Sequence, residues 1–202
     1  MSELIKHECG VALIRLLKPL EYYQEKYGSW CYGLDKLYLL MEKQHNRGQD
    51  GAGLVSLKIN NTPGQEYLHR SRSMKENPIK DIFDGIFKLY GKSQKKNLEL
   101  FNNSEWAKNN LPYVGEAYIG HLRYGTFGRN SIEFVHPVMR QNNWKSRNLV
   151  LAGNFNLTNT DELFNKLMSL GQHPSAYTDT VTVLEKIGHF LDVENQKLFK
   201  RY

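Results

Sequence analysis

The chain has 202 residues, 40% of them hydrophobic and 12% aromatic, which suits an ordered globular protein with room for one sizeable core. Its 27 Lys+Arg against 21 Asp+Glu give a net charge of +6, yet no basic stripe with interleaved aromatics marks a nucleic-acid surface. No apolar run approaches the roughly 18 residues of a membrane span, no secretory segment opens the chain, and Cys9 and Cys31 alone can build neither a disulfide framework nor a four-cysteine cluster. The expectation is a cytoplasmic protein with no membrane or nucleic-acid partner.

The first apolar run, Cys9-Gly10-Val11-Ala12-Leu13-Ile14, predicts a strand over residues 10–16 with a cysteine at its mouth. Such a cysteine is either an inert buried thiol or a nucleophile that becomes N-terminal once eight residues are removed. Residues 18–30, with Pro19, Gly28 and three tyrosines, read as a connection or a partly ordered insertion. Leu34, Leu37, Tyr38 and Met41 share one helical face over residues 34–45. Glycines then interrupt the chain before a strand at 54–59, Pro63-Gly64 marks a turn, and 66–70 returns as a strand.

Asn77-Pro78 opens a helix carrying Ile79, Ile82, Phe83 and Ile86. Residues 91–113 are polar and Asn-rich and predict a long loop, with the lysines of 92–96 as its solvated face. Strand character returns at 116–123 and 148–152. Two helices close the chain. One runs from about Thr160 to Gly171 with Leu163, Phe164, Leu167 and Met168; the other starts near Thr178-Asp179-Thr180 and carries Val181, Leu184, Ile187 and Leu191. Strands and helices mix without strict alternation, which favours an α+β fold with antiparallel sheets in one domain.

Four further stretches hold chemistry-bearing residues. Gln44-His45-Asn46-Arg47-Gly48-Gln49-Asp50-Gly51-Ala52-Gly53 is rich in glycine but matches no phosphate-binding fingerprint; Arg47 and Asp50 could pair and brace it. Gly120-His121-Leu122-Arg123-Tyr124-Gly125-Thr126-Phe127-Gly128 puts an arginine at a strand end before a loop hinged by glycines, an arrangement that can clamp a carboxylate. Asn154, Asn156 and Asn159 follow Gly153 and are either turn residues or amide donors to a developing oxyanion. Thr178-Asp179-Thr180 is a helix cap, or a carboxylate beside a cleft.

In this order and spacing, from Cys9 to about Leu191, the motifs resemble the glutaminase domain of class II glutamine amidotransferases, in the N-terminal-nucleophile hydrolase superfamily. Within that family the resemblance is to the amidophosphoribosyltransferase branch, which opens purine synthesis. It implies a four-layer αββα sandwich of two antiparallel sheets flanked by helices. It also implies three segments: a propeptide over 1–8, a glutaminase domain over 9–191, and an extension or shortened link over 192–202. L-glutamine would be hydrolysed without metal or cofactor. The ammonia would pass to a phosphoribosyltransferase-like synthase domain or subunit for which this chain has no room; a homo-oligomer is compatible with the scheme.

The same resemblance gives Cys9 the role of nucleophile and Arg123 that of holding the substrate carboxylate, with Thr126 in the loop that closes over it. Asp179 takes the substrate ammonium, and Asn154 with the backbone N–H of Phe155 forms the oxyanion hole. No histidine is tied to Cys9 as a base, but a free α-amine, with a pKa of roughly 7.7–8.0, can accept the thiol proton once the Glu8–Cys9 bond is cut. Four positions depart from the family pattern: Asn46 is inserted, Gly153 stands for His, Phe155 for Gly, and Val181 for Glu. A phenylalanine would be strained if its position required φ > 0. These departures leave a second expectation open, a catalytically silent glutamine-binding or assembly module on the same fold. Cys31 matches no family site and is expected to be structural.

Overall fold

The computed structural model describes residues 8–125 and 131–201. The chain divides into two compact units, one ending at His136 and the other beginning at Pro137.

The first unit is built on an antiparallel sheet in the order β1–β4–β2–β3, from β1 (Gly10–Arg15), β2 (Gly51–Leu57), β3 (Leu68–Ser73) and β4 (Ala117–Arg123). One face is covered by α2 (Tyr32–Lys43), which packs on β1 and β4, and by α3 (Pro78–Lys96), which packs on β2 and β3. Leu34, Leu37 and Met41 of α2 and Ile79, Ile82, Phe83 and Ile86 of α3 are all buried in one cluster with Ala12, Leu54, Tyr118 and Leu122 of the sheet. Each such side chain contributes about 1.5–3 kcal/mol by leaving water, so these two stripes fix the helices to the strands.

Three helices lie where the sequence reads as connection or loop. Helix α1 (Leu20–Tyr27) starts after Pro19 and stops at Gly28, whose φ of 75° and N–H bond to the Gln24 carbonyl terminate it in a left-handed cap. The expected loop over 91–113 is replaced by the end of α3, then α4 (Leu98–Asn102) and α5 (Ser104–Asn110). The asparagines there are caps: the Leu100 N–H donates to Asn97 Oδ1 at 3.0 Å and the Trp106 N–H to Asn103 Oδ1 at 2.8 Å. Lys95 and Lys96 sit in the last turn of α3, where cations offset the partial negative charge of the helix end.

The second unit pairs β5 (Val138–Arg140) with β6 (Leu149–Leu151) antiparallel and packs them against α7 (Asp179–Phe199), which also meets α6 (Thr160–Ser169). Val138, Val181 and Leu184 form its small core with Leu149, Leu151 and Ala176. Arg140 ties β5 to α7 through Glu185 at 3.1 Å and Asp192 at 3.2 Å. Strand β5 has no counterpart in the sequence reading, and α7 runs beyond the predicted Leu191 to Phe199. The α+β class and the two antiparallel sheets flanked by helices are those the resemblance implies.

Candidate active site

Strand pairing places Cys9. In the β1–β4 register Gly10 lies opposite Leu122, so the residue before β1 meets the segment that leaves β4. The Tyr124 N–H points at Cys9 Sγ at 3.5 Å, and the thiol lies 3.9 Å from the Tyr124 carbonyl oxygen. Cys9 is half-buried.

The Gly-rich stretch is the seat of that segment. The Asp50 N–H donates to the Arg123 carbonyl at 3.0 Å, and the Gly125 N–H donates to Asp50 Oδ2 at 2.7 Å. Gly48 comes so near that a Cβ on it would lie 2.6 Å from both the carbonyl carbon and the oxygen of Arg123. The expected Arg47–Asp50 pair does not form: Arg47 meets Glu8 at 3.5 Å, with both side chains half exposed, and Asp50 turns to the Gly125 amide. A backbone N–H at the start of a loop needs an acceptor, and Asp50 supplies it. Asn46 is the middle residue of a 3-10 turn, His45–Arg47.

Arg123 is 5% exposed, and among the described residues its Nε and Nη1 have no hydrogen-bond partner. Its guanidinium carbon lies 5.2 Å from the centre of the Phe134 ring. A buried cation with two idle donors is costly unless an anion completes it. Thr126 lies outside the described residues.

Asn154, Phe155 and Asp179 belong to the second unit. Asn154 is exposed and Phe155 half-buried. Phe155 escapes the feared strain: among described residues other than glycine, only Asn60 and Tyr113 have positive φ. Its ring folds back over Gly153, where an added Cβ would lie 2.6 Å from the ring edge. The two departures at 153 and 155 thus fit each other sterically, the small residue making room for the large one. Asp179 opens α7, while Thr178 caps it by accepting the Val181 N–H at 3.1 Å. Asp179 Oδ1 accepts the Thr180 N–H at 2.6 Å and its hydroxyl at 3.2 Å. Val181 is buried in the second core, which explains an apolar side chain at that position.

Sequence reasoning missed Asp50 as the brace of the Arg123–Gly125 segment and missed Phe134 altogether. The first was in view within its motif, whereas nothing in the spacing of Phe134 relates it to Arg123. Among the described residues no group of His, Cys, Asp and Glu is placed to hold a metal ion, and no helix is long and apolar enough to cross a membrane.

No family model matches the chain. Amidophosphoribosyltransferase of Bacillus subtilis is 31% identical over 164 residues, which are 79% of this chain and 26% of that protein. The enzyme of the same name from Lacticaseibacillus casei is 27% identical over 150 residues, 74% of this chain and 61% of that one. A third, from Archaeoglobus fulgidus, is 27% identical across 76% of this chain and 26% of its own. The solved structure of glutamine phosphoribosylpyrophosphate amidotransferase from B. subtilis, complexed with ADP and GMP, covers 86% of this chain and 27% of its own at 25% identity, with a TM-score of 0.45. The chain thus spans about a quarter of the length of the Bacillus and Archaeoglobus relatives.

Proposed function

Starting from a chain that is a class II glutaminase domain related to the amidophosphoribosyltransferases, we propose that it hydrolyses L-glutamine to glutamate and ammonia through a thioester at Cys9. The ammonia serves a phosphoribosyltransferase-type synthase domain or subunit of purine synthesis in the cytoplasm. The observation that carries this reading is Arg123: a buried guanidinium with two idle donors, one residue before the Tyr124 N–H that points at Cys9 Sγ.

The reaction begins with loss of residues 1–8, which turns the amide nitrogen of Cys9 into an amine. The substrate α-carboxylate pairs with Arg123 and its ammonium with Asp179. The amine takes the thiol proton, directly or through water, and Sγ attacks the side-chain amide carbon. Negative charge builds on the amide oxygen and is held by the Asn154 side chain and the Phe155 N–H. As the tetrahedral species collapses, the C–N bond breaks and the amine returns its proton to the departing nitrogen, releasing ammonia. Water then attacks the thioester carbonyl, its proton passes back through the amine to sulfur, and glutamate leaves. No metal or cofactor takes part.

The test is ammonia release from glutamine by protein that begins at Cys9, beside protein that retains Glu8. Turnover only in the first, lost in Cys9→Ser, is the expected result. Processed protein that binds glutamine without releasing ammonia would support the silent module instead.

A further inference from the structure

The guanidinium of Arg123 is held from one side by an aromatic ring that the glutaminase mechanism does not call for. Phe134 closes the 3-10 turn Ile132–Phe134, in which the Phe134 N–H donates to the Ser131 carbonyl at 3.1 Å and the Val135 N–H to the Ile132 carbonyl at 3.1 Å. The turn is fastened to the sheet from both ends. Arg72 of β3 donates through Nη1 to the Ile132 carbonyl at 2.9 Å and to the Val135 carbonyl at 3.1 Å, and the Val135 side chain is fully buried. The half-buried Phe134 ring is thereby set 5.2 Å from Arg123 Cζ.

A guanidinium carries all five N–H donors in its plane and none on its faces. The guanidinium carbon lies over the Phe134 ring, whose negative face attracts the cation without taking any of its N–H donors. The same contact restricts how the guanidinium can turn, and its in-plane donors Nε and Nη1 remain without partners. We propose that Phe134 is a positioning residue for the Arg123 clamp, holding the guanidinium so that a planar carboxylate meets it edge-on. Phe134 thereby sets affinity and selectivity for substrates that carry a free α-carboxylate. This rests on the glutamine reading above and adds to it the residue that prepares the clamp.

The test compares processed protein with Phe134→Leu, Phe134→Met and Phe134→Tyr on two substrates, L-glutamine and its α-carboxamide, which lacks the carboxylate. Loss of the ring face should raise KM for glutamine about three- to tenfold in the Leu and Met variants, with kcat within about twofold. The Tyr variant, which keeps a ring face, should match the parent. For the α-carboxamide, kcat/KM should not change in any variant, so selectivity for the carboxylate falls by the same factor. Calorimetric titration with L-glutamate should show the same loss of affinity without turnover. If Leu fails to fold, the Met variant, which fills similar space without a ring, reads the same quantity. Equal losses on both substrates, or unchanged KM in Leu and Met, would overturn the proposal. Arg123→Ala keeps the two levels apart: a raised KM there with none in the Phe134 variants sinks only this inference. Unchanged KM in Arg123→Ala sinks the glutamine reading as well.

Discussion

Gly48→Ala tests how the Gly-rich loop and the arginine segment are joined. The added Cβ would lie 2.6 Å from the carbonyl carbon and oxygen of Arg123 and 2.8 Å from the carbonyl carbon of Leu122. Carbon contacts are comfortable at about 3.5–4.0 Å, so the overlap approaches 1 Å, and every atom it meets is backbone. Strand β4 cannot yield, because β1 and β2 pair with it on both sides. The loop must lift instead, straining the 3.0 Å bond from Asp50 N–H to Arg123 O and the 2.7 Å bond from Gly125 N–H to Asp50. Overpacking costs about 1–3 kcal/mol and each lost hydrogen bond about 1 kcal/mol, so with both bonds lost a total of about 3–5 kcal/mol is expected. Movement of roughly 1 Å at the Arg123–Gly125 segment should lower kcat/KM by up to about a hundredfold. Urea denaturation and ammonia release measure the two effects. Gly85→Ala is the control: it lies within α3, a Cβ there meets nothing within 4 Å, and it should gain about 0.5–1 kcal/mol. A Gly48→Ala protein within about 0.5 kcal/mol of the parent, with parental turnover, would refute the reasoning.

Other outcomes follow from the same geometry. Cys9→Ser should lower turnover by orders of magnitude, whereas Cys31→Ser should leave it near parental, as ammonia release will read. Burial, with a smaller effect from Asp35, pushes the Cys31 thiol far above its usual range, so its thiolate stays scarce even in mild alkali. Iodoacetamide should therefore modify Cys9 well ahead of Cys31 up to about pH 10, as peptide mapping would record. Arg123→Ala should raise KM for glutamine roughly 10–100-fold through loss of a charge-assisted pair worth about 1.5–3 kcal/mol, and Asp179→Asn should act in the same direction. Phe155→Gly should stay within about tenfold of the parent, because Phe155 is not held at positive φ and either residue carries a backbone N–H; a hundredfold gain would mean that the natural chain has a broken oxyanion hole.

The long helices were legible because burial follows a period the sequence displays: Leu34, Leu37 and Met41, then Ile79, Ile82, Phe83 and Ile86, are buried as their spacing requires. Helices α4 and α5 were not, since each is under two full turns or barely that and buries few side chains. Their signal lay in Asn97 and Asn103, residues that serve loops and caps alike. Strand β5 has three residues, too few for alternation to register. At the site, residue types were legible but not their partners. Asp50 looked like a mate for Arg47, yet pairing of Gly51 with Arg123 brings it to the Gly125 amide. The Phe134 ring lies 5.2 Å from the Arg123 guanidinium across a turn that Arg72 and Val135 help to hold in place, and no local pattern encodes such a contact.

The claim that Cys9 becomes an N-terminal nucleophile for glutamine meets its most direct test in the intact mass of purified protein after incubation with a diazo-ketone analogue of glutamine. The account predicts a chain that lacks residues 1–8 and carries one adduct, mapped to Cys9 by its peptide, with formation slowed by added glutamine. A full-length chain without adduct, or an adduct at Cys31 with activity lost, would contradict it.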